Sequence, residues 1–264
     1  MIVGKSNRNY AISVQNLTMG YGTKILLENT SFNVEQGEIL VILGGSGCGK
    51  SSLMKHLIGL YPPKSGDILI NNRSIVHAKN NEKSNIQRQL GVMYQSGALF
   101  GSLNVIENVR FPLDEFTDIG LDEKNLIARI LLDLLEMGHA EALMPNELSG
   151  GMIKRVGIAR AMALGANILM LDEPSAGLDP ITSANLDQAI LQLRKNLGCT
   201  FIIVTHELQS IFEVADRAIM LDPKAKSIIA EGSPAELRDK SPDPRVRQFF
   251  NRISDHEQKS KRYG

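Results

Sequence analysis

A glycine-rich segment near residue 44 carries the strongest chemical signal in the sequence. A first glycine is followed, after four residues, by Gly-Lys-Ser. This spacing is typical of a loop that holds phosphates, because glycines let backbone N–H groups converge on phosphate oxygens and the following helix adds positive potential. The predicted nucleotide-binding residues of this loop are Gly44, Gly45, Ser46, Gly47, Cys48, Gly49, Lys50, Ser51 and Ser52.

Two side chains of this P-loop are predicted to act on the nucleotide directly. Lys50 is expected to reach the β- and γ-phosphates, and the Ser51 hydroxyl is expected to bind Mg²⁺. An apolar run at 39–43 precedes the loop and a helical pattern follows it. This context disfavours the alternative of a glycine-rich turn with a solvated lysine. Cys48 is expected to fill space and is given no chemistry.

A second apolar run ends in two acids. Residues 168–171 are Ile-Leu-Met-Leu, and Asp172 and Glu173 follow. Because open α/β sheets bind ligands at the carboxyl ends of their strands, both carboxylates are predicted to face the phosphates. Asp172 suits a partner of Mg²⁺ that acts through water, and Glu173 suits the group that orients and deprotonates the attacking water. In isolation, an acidic turn without function would be the preferred interpretation.

Three weaker signals accompany these motifs. Gln95 follows an apolar run and opens a glycine-rich loop, and His206 follows the apolar run 201–204. His206 is expected to donate a hydrogen bond to a γ-phosphate. Ser149 precedes two glycines, Gly150 and Gly151, which predicts an N-cap and a second anion-binding helix start. Each residue also has an ordinary alternative, as a loop amide, a strand-end histidine or a simple helix cap.

Composition bounds the class of protein. The chain has 264 residues with 29 Lys and Arg against 29 Asp and Glu, and this balance disfavours nucleic-acid binding through phosphates. Two cysteines predict a reducing compartment rather than a disulfide framework. No apolar run approaches the roughly 18 residues of a transmembrane segment, and we expect no signal peptide at the start.

Apolar runs and helical patterns alternate along the chain. The runs at 39–43, 168–171 and 201–204 suit strands buried on both faces of a parallel sheet, so the predicted fold class is α/β. We interpret 96–160 as a mostly helical insertion. The helical face expected to be buried there comprises Leu126, Ile127, Ile130, Leu131, Leu134 and Leu135.

Together these motifs resemble the nucleotide-binding subunit of ABC transporters. Their order and spacing match that family over roughly residues 10–235. The resemblance implies a P-loop NTPase (RecA-like) core with an antiparallel β subdomain and the inserted helical subdomain. It implies an ATPase domain at 10–240, followed by a C-terminal helix and polar tail at 241–264. ATP and Mg²⁺ are the implied cofactors, and ATP hydrolysis coupled to transport is the implied activity.

The resemblance also implies site roles. The implied catalytic residues are Glu173, His206, Gln95 and Lys50. The implied metal site consists of Ser51, Gln95 and, through water, Asp172. Tyr21 matches an aromatic that stacks on adenine, although a loop tyrosine packed on the sheet is the alternative.

A pair of subunits is implied as well, with two ATP molecules held between them. The P-loop of one copy would face Ser149, Gly150 and Gly151 of the other, and Asp179 would communicate across the interface. Met152 stands where many relatives have glutamine, which leaves the preceding serine and glycines unchanged.

A narrower resemblance, to the ATPase subunits of MCE-associated (Mla) phospholipid transporters, rests on the segments 94–100, 103–105, 107–109, 112–113, 143–145, 179–182 and 242–249. This implies phospholipid transport between the inner and outer membranes of a Gram-negative bacterium, from the cytoplasmic face of the inner membrane. The implied partners are a second copy, a permease of the MlaE type, an MCE-domain protein of the MlaD type and a STAS-domain subunit of the MlaB type. The alternative is an importer for an amino acid or metal ion.

Other ABC ATPase classes fit less well. A ribosome-associated member would carry two cassettes, and this chain has one. A DNA-repair member would need a long coiled coil between Gln95 and Ser149, where 53 residues lie. We therefore expect no nucleic-acid partner.

Two apolar segments keep two interpretations each. Leu99, Phe100 and Leu103 pack in the core or form a groove for a permease helix. The stripe at 246–253, which follows an Asp-Pro helix start, packs on the chain's own core or also contacts a partner.

Overall fold

The computed structural model describes residues 9–251. Their strands are β1 (Tyr10–Tyr21), β2 (Lys24–Glu35), β3 (Ile39–Gly44), β4 (Ser65–Ile70), β5 (Arg73–Ser74), β6 (Leu90–Met93), β7 (Ile168–Asp172), β8 (Thr200–Val204), β9 (Arg217–Asp222) and β10 (Ser227–Gly232). Their α-helices are α1 (Lys50–Leu57), α2 (Asn80–Gln87), α3 (Val105–Phe116), α4 (Leu121–Leu134), α5 (Gly150–Met162), α6 (Pro180–Leu197), α7 (Leu208–Val214), α8 (Pro234–Lys240) and α9 (Pro244–Asn251).

A six-stranded sheet lies at the centre, with strand order β10-β9-β3-β8-β7-β6. All neighbouring strands from β9 to β6 pair in parallel, and β10 pairs antiparallel with β9. The predicted runs 39–43, 168–171 and 201–204 lie in β3, β7 and β8 and are buried throughout. The predicted α/β class is therefore confirmed.

Alternate residues of β3 belong to two hydrophobic cores on opposite faces of this sheet. Val41 and Leu43 lie in the core shared with α3, α4, α5 and α6, whereas Leu40 and Ile42 lie in the core shared with β1 and α1. This follows from the strand period of two. The second core also includes the inner face of an antiparallel sheet with order β2-β1-β4-β5, which agrees with the implied β subdomain.

The segment between β6 and β7 is mostly helical. α3 starts with a capping box between Asn104 and Glu107, and α3, α4 and α5 pack against one another. The predicted buried face of α4 is confirmed in part, since Ile127, Leu131 and Leu135 pack on the core. Leu126 and Ile130 are 60% and 51% exposed. The face that packs consists of Ala128, Leu131, Leu132 and the following Leu135.

The C-terminal part of the described chain packs on the core. Ser233 caps α8, and Asp243 accepts a hydrogen bond from the backbone N–H of Arg245 at the start of α9, as predicted. Val246 and Phe250 are buried in the core, which agrees with the packing interpretation of the stripe. Ile253 and the predicted polar tail lie outside the described residues. Within 9–251, none of the helices has the length and apolar character that a bilayer crossing requires.

Candidate nucleotide-binding site

The P-loop makes a tight turn between β3 and α1. Gly44 has a φ of 147°, and a Cβ there would lie 2.5 Å from the Cys48 Sγ and 2.6 Å from the Leu221 carbonyl oxygen, so the position requires glycine. Gly49 precedes α1 with a φ of 101° and provides no side-chain cap. The first N–H groups of α1 are thus left without a side-chain acceptor, which is the arrangement that binds an anion.

Cys48 points away from the loop surface. Its side chain is buried in the core beneath the P-loop, and burial raises the pKa of its thiol. Its backbone N–H donates to the Gly45 carbonyl at 3.3 Å. The space-filling role predicted for this side chain agrees with its position.

Lys50, Ser51 and Asp172 lie close together at the carboxyl ends of β3 and β7. The Lys50 ammonium donates to the carbonyl of Gly44 at 2.8 Å and of Gly45 at 3.4 Å, so it lies folded over the loop. The Ser51 hydroxyl donates to the Asp172 carboxylate at 3.5 Å. Burial raises the pKa of Asp172, and the hydrogen bond from Ser51 partly opposes that rise.

Tyr21 lines a cavity beside the P-loop. Its hydroxyl donates to the Ser52 hydroxyl at 3.2 Å, its ring meets Tyr61 edge-on at 5.7 Å, and it is 44% exposed. The cavity measures about 340 Å³ and is lined by Tyr21, Lys24, Leu26, Gly47, Gly49, Lys50, Ser51 and Ser52. An exposed ring next to a phosphate loop can stack on a base.

Glu173 and His206 form a pair at the ends of β7 and β8. His206 Nδ1 lies 2.9 Å from one Glu173 carboxylate oxygen, Oε1. The other oxygen, Oε2, is buried and has no hydrogen-bond partner among the described residues. Glu173 also has a φ of 49°, a left-handed backbone that is costly for a residue with a long side chain. A carboxylate on a strained backbone, with one oxygen atom free of hydrogen bonds to the described residues, is suited to accept a proton.

The backbone of Gln95, not its side chain, is tied to this region. Lys154 of α5 donates from its ammonium to the Gln95 carbonyl and, at 3.3 Å, to the Glu173 carbonyl. The Gln95 side chain is exposed and makes no hydrogen bond to Ser51 or Asp172 in the described chain. Lys154 was not predicted, because nothing in its local sequence distinguishes it from the other charged residues of α5.

Ser149, Gly150 and Gly151 lie apart from the P-loop. The Ser149 hydroxyl accepts from the Met152 N–H at 3.3 Å, which confirms the predicted N-cap of α5. Asp179 caps α6 nearby. Among the hydrogen bonds of residues 9–251, none joins the start of α5 to the P-loop. The structure thus brings together the P-loop, Asp172, Glu173 and His206, and leaves the second glycine-rich helix start separate.

The donor set fits Mg²⁺ with few protein ligands. The Ser51 hydroxyl and the Asp172 carboxylate supply hard oxygen atoms, which this ion prefers. The described part of the chain has no group of three or more His, Cys, Asp or Glu residues that could hold a metal ion. Mg²⁺ commonly keeps several waters and phosphate oxygens, so two protein oxygens suit it.

A larger cavity of about 680 Å³ lies at the other end of the central sheet, beside Glu38, Asp216 and Arg217. Its charged groups are already paired, since Arg217 donates to Glu38 at 2.7 Å and Arg194 donates to Asp216 at 2.9 Å. It contains neither the P-loop nor the acid pair, so the chemistry lies elsewhere.

This fold and site define a class. A sequence model of the ABC transporter family matches residues 27–176, more than half of the chain. The chain therefore belongs to the ABC transporter family and is its ATP-binding, ATP-hydrolysing component. The predicted family is confirmed.

Particular relatives follow from the whole-chain comparison. The chain is 39% identical over 248 residues to MlaF of Haemophilus influenzae, an intermembrane phospholipid transport system ATP-binding protein, covering 92% of this chain and 91% of MlaF. It is 40% identical to mkl of Mycobacterium leprae, a probable ribonucleotide transport ATP-binding protein, covering 94% of this chain and 71% of mkl.

A solved structure of this kind is similar as well. The dimeric post-hydrolysis ATP-binding cassette MJ0796, bound to ADP and Pi, has a TM-score of 0.74 and 29% identity, covering 84% of this chain and 98% of that one.

Proposed function

We propose that this ATPase powers phospholipid transport between the inner and outer membranes of a Gram-negative bacterium. The observation that carries the proposal is the match to MlaF, which extends over 92% of this chain and 91% of MlaF. The mkl match reaches a similar identity but covers 71% of mkl. The similarity to MlaF thus extends over nearly the full length of both proteins, which favours phospholipid transport over the role printed for mkl.

ATP binds with its phosphates at the start of α1 and its base near Tyr21. The N–H groups left open behind Gly49 and the charge of Lys50 face the phosphates. Ser51 and, through water, Asp172 would hold Mg²⁺, which when bound neutralises charge on the β- and γ-phosphates. Gln95 would join this group only after its exposed side chain turns inward.

Glu173 accepts the proton of the attacking water. Its buried Oε2 atom is free to accept a hydrogen bond, while Oε1 lies beside His206. His206 orients this carboxylate and has its other ring nitrogen available for a γ-phosphate. The left-handed backbone at Glu173 fixes the carboxylate at the end of β7.

Two copies complete each other's sites. The start of α5 exposes Ser149 and Gly150, and among the described residues no hydrogen bond joins them to the chain's own P-loop. The dimeric cassette MJ0796 supports pairing of this kind. In the pair, Ser149, Gly150 and Gly151 would contact the partner's ATP, and Asp179 would lie at the interface.

The pair works at the cytoplasmic face of the inner membrane with a permease of the MlaE type. An MCE-domain protein of the MlaD type and a STAS-domain subunit of the MlaB type complete the complex. Support comes from the MlaF relative, whose printed role is in an intermembrane phospholipid transport system.

Ribonucleotide transport is the second candidate, because mkl is 40% identical. Isolation of the complex from host membranes separates the two. We expect a permease, an MCE-domain protein and bound phospholipid. A substrate-binding protein that retains a ribonucleotide, an amino acid or a metal ion would overturn the phospholipid proposal.

The site is tested by Glu173→Gln. The matched control is Glu207→Gln, because Glu207 also lies near His206 but on the side of its other ring nitrogen. The amide keeps the shape but cannot accept a proton, so ATP turnover should fall about 100-fold or more with ATP affinity retained. Glu207 lies 4.0 Å from the other ring nitrogen of His206, and its variant should keep near-normal turnover. Normal turnover in Glu173→Gln would remove Glu173 from this role.

A further inference from the structure

Lys154 is a buried cation outside the motifs described above. It lies on α5 and is 5% exposed, and burial lowers the pKa of its ammonium while Glu173 and Asp172 oppose that shift. A lysine is rarely buried unless its charge is compensated. None of the ion pairs in the described chain includes Lys154, and its hydrogen bonds go to backbone carbonyls. The cost of burying it is offset by two contacts with specific peptide groups.

Both peptide groups belong to the proposed site. One is the carbonyl of Gln95, which opens the loop after β6, and the other is the carbonyl of Glu173, at the end of β7. Glu173 has a left-handed backbone, which persists only where surrounding contacts determine it. A charge-assisted hydrogen bond to its carbonyl is such a contact.

The loop after Gln95 is held against α5 at further points. Gly97 packs so closely on α5 that a Cβ would lie 2.6 Å from the Ile153 side chain. Arg160 donates to the carbonyls of Gly97 and Ala98 at 2.9 and 2.8 Å. Loop and helix therefore form one packed unit, in which Lys154 provides the additional contact to Glu173.

We propose that Lys154 is a positioning residue that makes the start of α5, the Gln95 loop and Glu173 move together. It lies five residues after Ser149 on the same helix, about 7–8 Å along the axis. When a partner's ATP engages Ser149, the displacement of α5 reaches Gln95 and Glu173 through the Lys154 ammonium. Hydrolysis is thereby tied to closure of the pair. This inference rests on the proposed roles of Ser149 and Glu173.

The test compares Lys154→Met with wild type in the full-length chain, isolated with its membrane partners. Methionine keeps the apolar stem and removes both hydrogen bonds. The kcat for ATP should fall about tenfold or more, because two hydrogen bonds from a charged donor are lost next to the reacting groups. The Kd for ATP should stay within about twofold, because the P-loop is untouched.

Two variants control the chemistry. Lys154→Arg retains a cation with N–H donors and should recover at least about a third of the lost kcat. Lys195→Met removes an exposed lysine from α6 and should change neither kcat nor Kd. If Lys154→Met does not fold, Lys154→Gln replaces it, and its kcat should lie below that of Lys154→Arg at equal Kd.

The outcomes separate this inference from the proposed function. Wild-type kcat in every folded Lys154 variant, or losses of kcat and ATP affinity that both follow a lowered melting temperature, would overturn the positioning role. Glu173→Gln measured in parallel tests the site itself. An inactive Glu173→Gln beside a fully active Lys154→Met refutes the inference alone, whereas an active Glu173→Gln refutes the proposed site.

Discussion

The helices α1 and α5 both begin after glycine-rich segments, yet their starts differ. At α1, Gly49 offers no capping side chain, and the carboxylates of Asp172 and Glu173 lie at the carboxyl end of β7, two strands away from β3 in the central sheet. At α5, the Ser149 hydroxyl already caps the helix, and Ser149 and Gly150 face solvent. The start of α1 therefore lies beside the carboxylates proposed to take part in hydrolysis, whereas the start of α5 is an exposed surface without such groups in the described chain. This difference is expected if a site is completed by a second molecule.

The two helices also differ in how their remaining lengths are held. The apolar side of α1 packs through Leu53 and Leu57. Behind its exposed start, α5 is held by Lys154, Arg160 and the close contact at Gly97. Thus α1 is anchored by apolar packing, and α5 is additionally hydrogen-bonded to the loop and acid that it would control.

The largest effect is expected at the start of α1. Lys50→Ala should weaken ATP binding about 100-fold, because a charged donor facing the phosphates is lost. Lys55→Ala, on the same helix, should change affinity only a few-fold. Equilibrium titration of the full-length chain with ATP measures both. Unchanged affinity in Lys50→Ala would make the P-loop assignment wrong.

The start of α5 should behave in the opposite way. Ser149→Arg should leave ATP binding to the single chain within about twofold and lower hydrolysis by the pair about tenfold or more, because the site that closes on ATP is blocked. Binding and turnover measured on the same preparation check this.

A mixed pair sharpens the same comparison. When one Lys50→Ala chain pairs with one Ser149→Arg chain, sharing between copies places both lesions in one site and leaves the other intact. About half of the activity should then remain if the sites act independently. Sites formed within one chain would both be damaged, and activity would be lost.

A smaller effect is expected where α5 meets the loop. Gly97 has a φ of 72°, and an added Cβ would also lie 3.1 Å from the Ile153 carbonyl oxygen. Gly97→Ala should therefore lower the free energy of unfolding by about 1–3 kcal/mol. The control is Gly101→Ala, where an added Cβ meets nothing within 4 Å. Equal midpoints in urea for the two variants would contradict the close contact.

The smallest effect is expected at Asp187 of α6, a helix that packs against α5. Burial raises its pKa to about 6, Ser210 partly opposes that rise and Glu213 adds to it. Between the ordinary Asp pKa of about 4 and this value, the folded state binds a proton that the unfolded state does not, so stability falls as pH rises. Asp187→Asn removes this loss.

The melting temperature of Asp187→Asn should therefore exceed that of wild type by about 2–4 °C at pH 7.5, corresponding to about 1 kcal/mol. The difference should shrink towards pH 5. A difference of the same size at both pH values would contradict the buried titration of Asp187.

The sequence predicts strands and local motifs better than helix faces. The run 39–43 is apolar throughout and ends in glycines, which favours a buried strand over the alternative of a buried helix turn. In α4, apolar residues cover more than one face, and contacts with α3 and α5 decide which one is buried. The periodicity therefore indicated a helix correctly and its buried face in part, because Leu131 and Leu135 are buried whereas Leu126 and Ile130 are exposed.

The candidate site shows the same limit. The P-loop spacing and the acids after 168–171 are local, so they were predicted. Lys154 contacts residues 59 and 19 positions away in the sequence. A pattern along one helix contains no information about such partners, and only the fold brings them together.

The left-handed backbone at Glu173 implies a conflict between the thermal stability of the chain and its catalytic activity. A residue without a Cβ adopts a φ of 49° at no steric cost, so Glu173→Gly relieves strain that glutamate maintains. Selection for heat resistance alone would favour glycine there and would discard the proton acceptor. The acid can therefore persist only under selection for turnover.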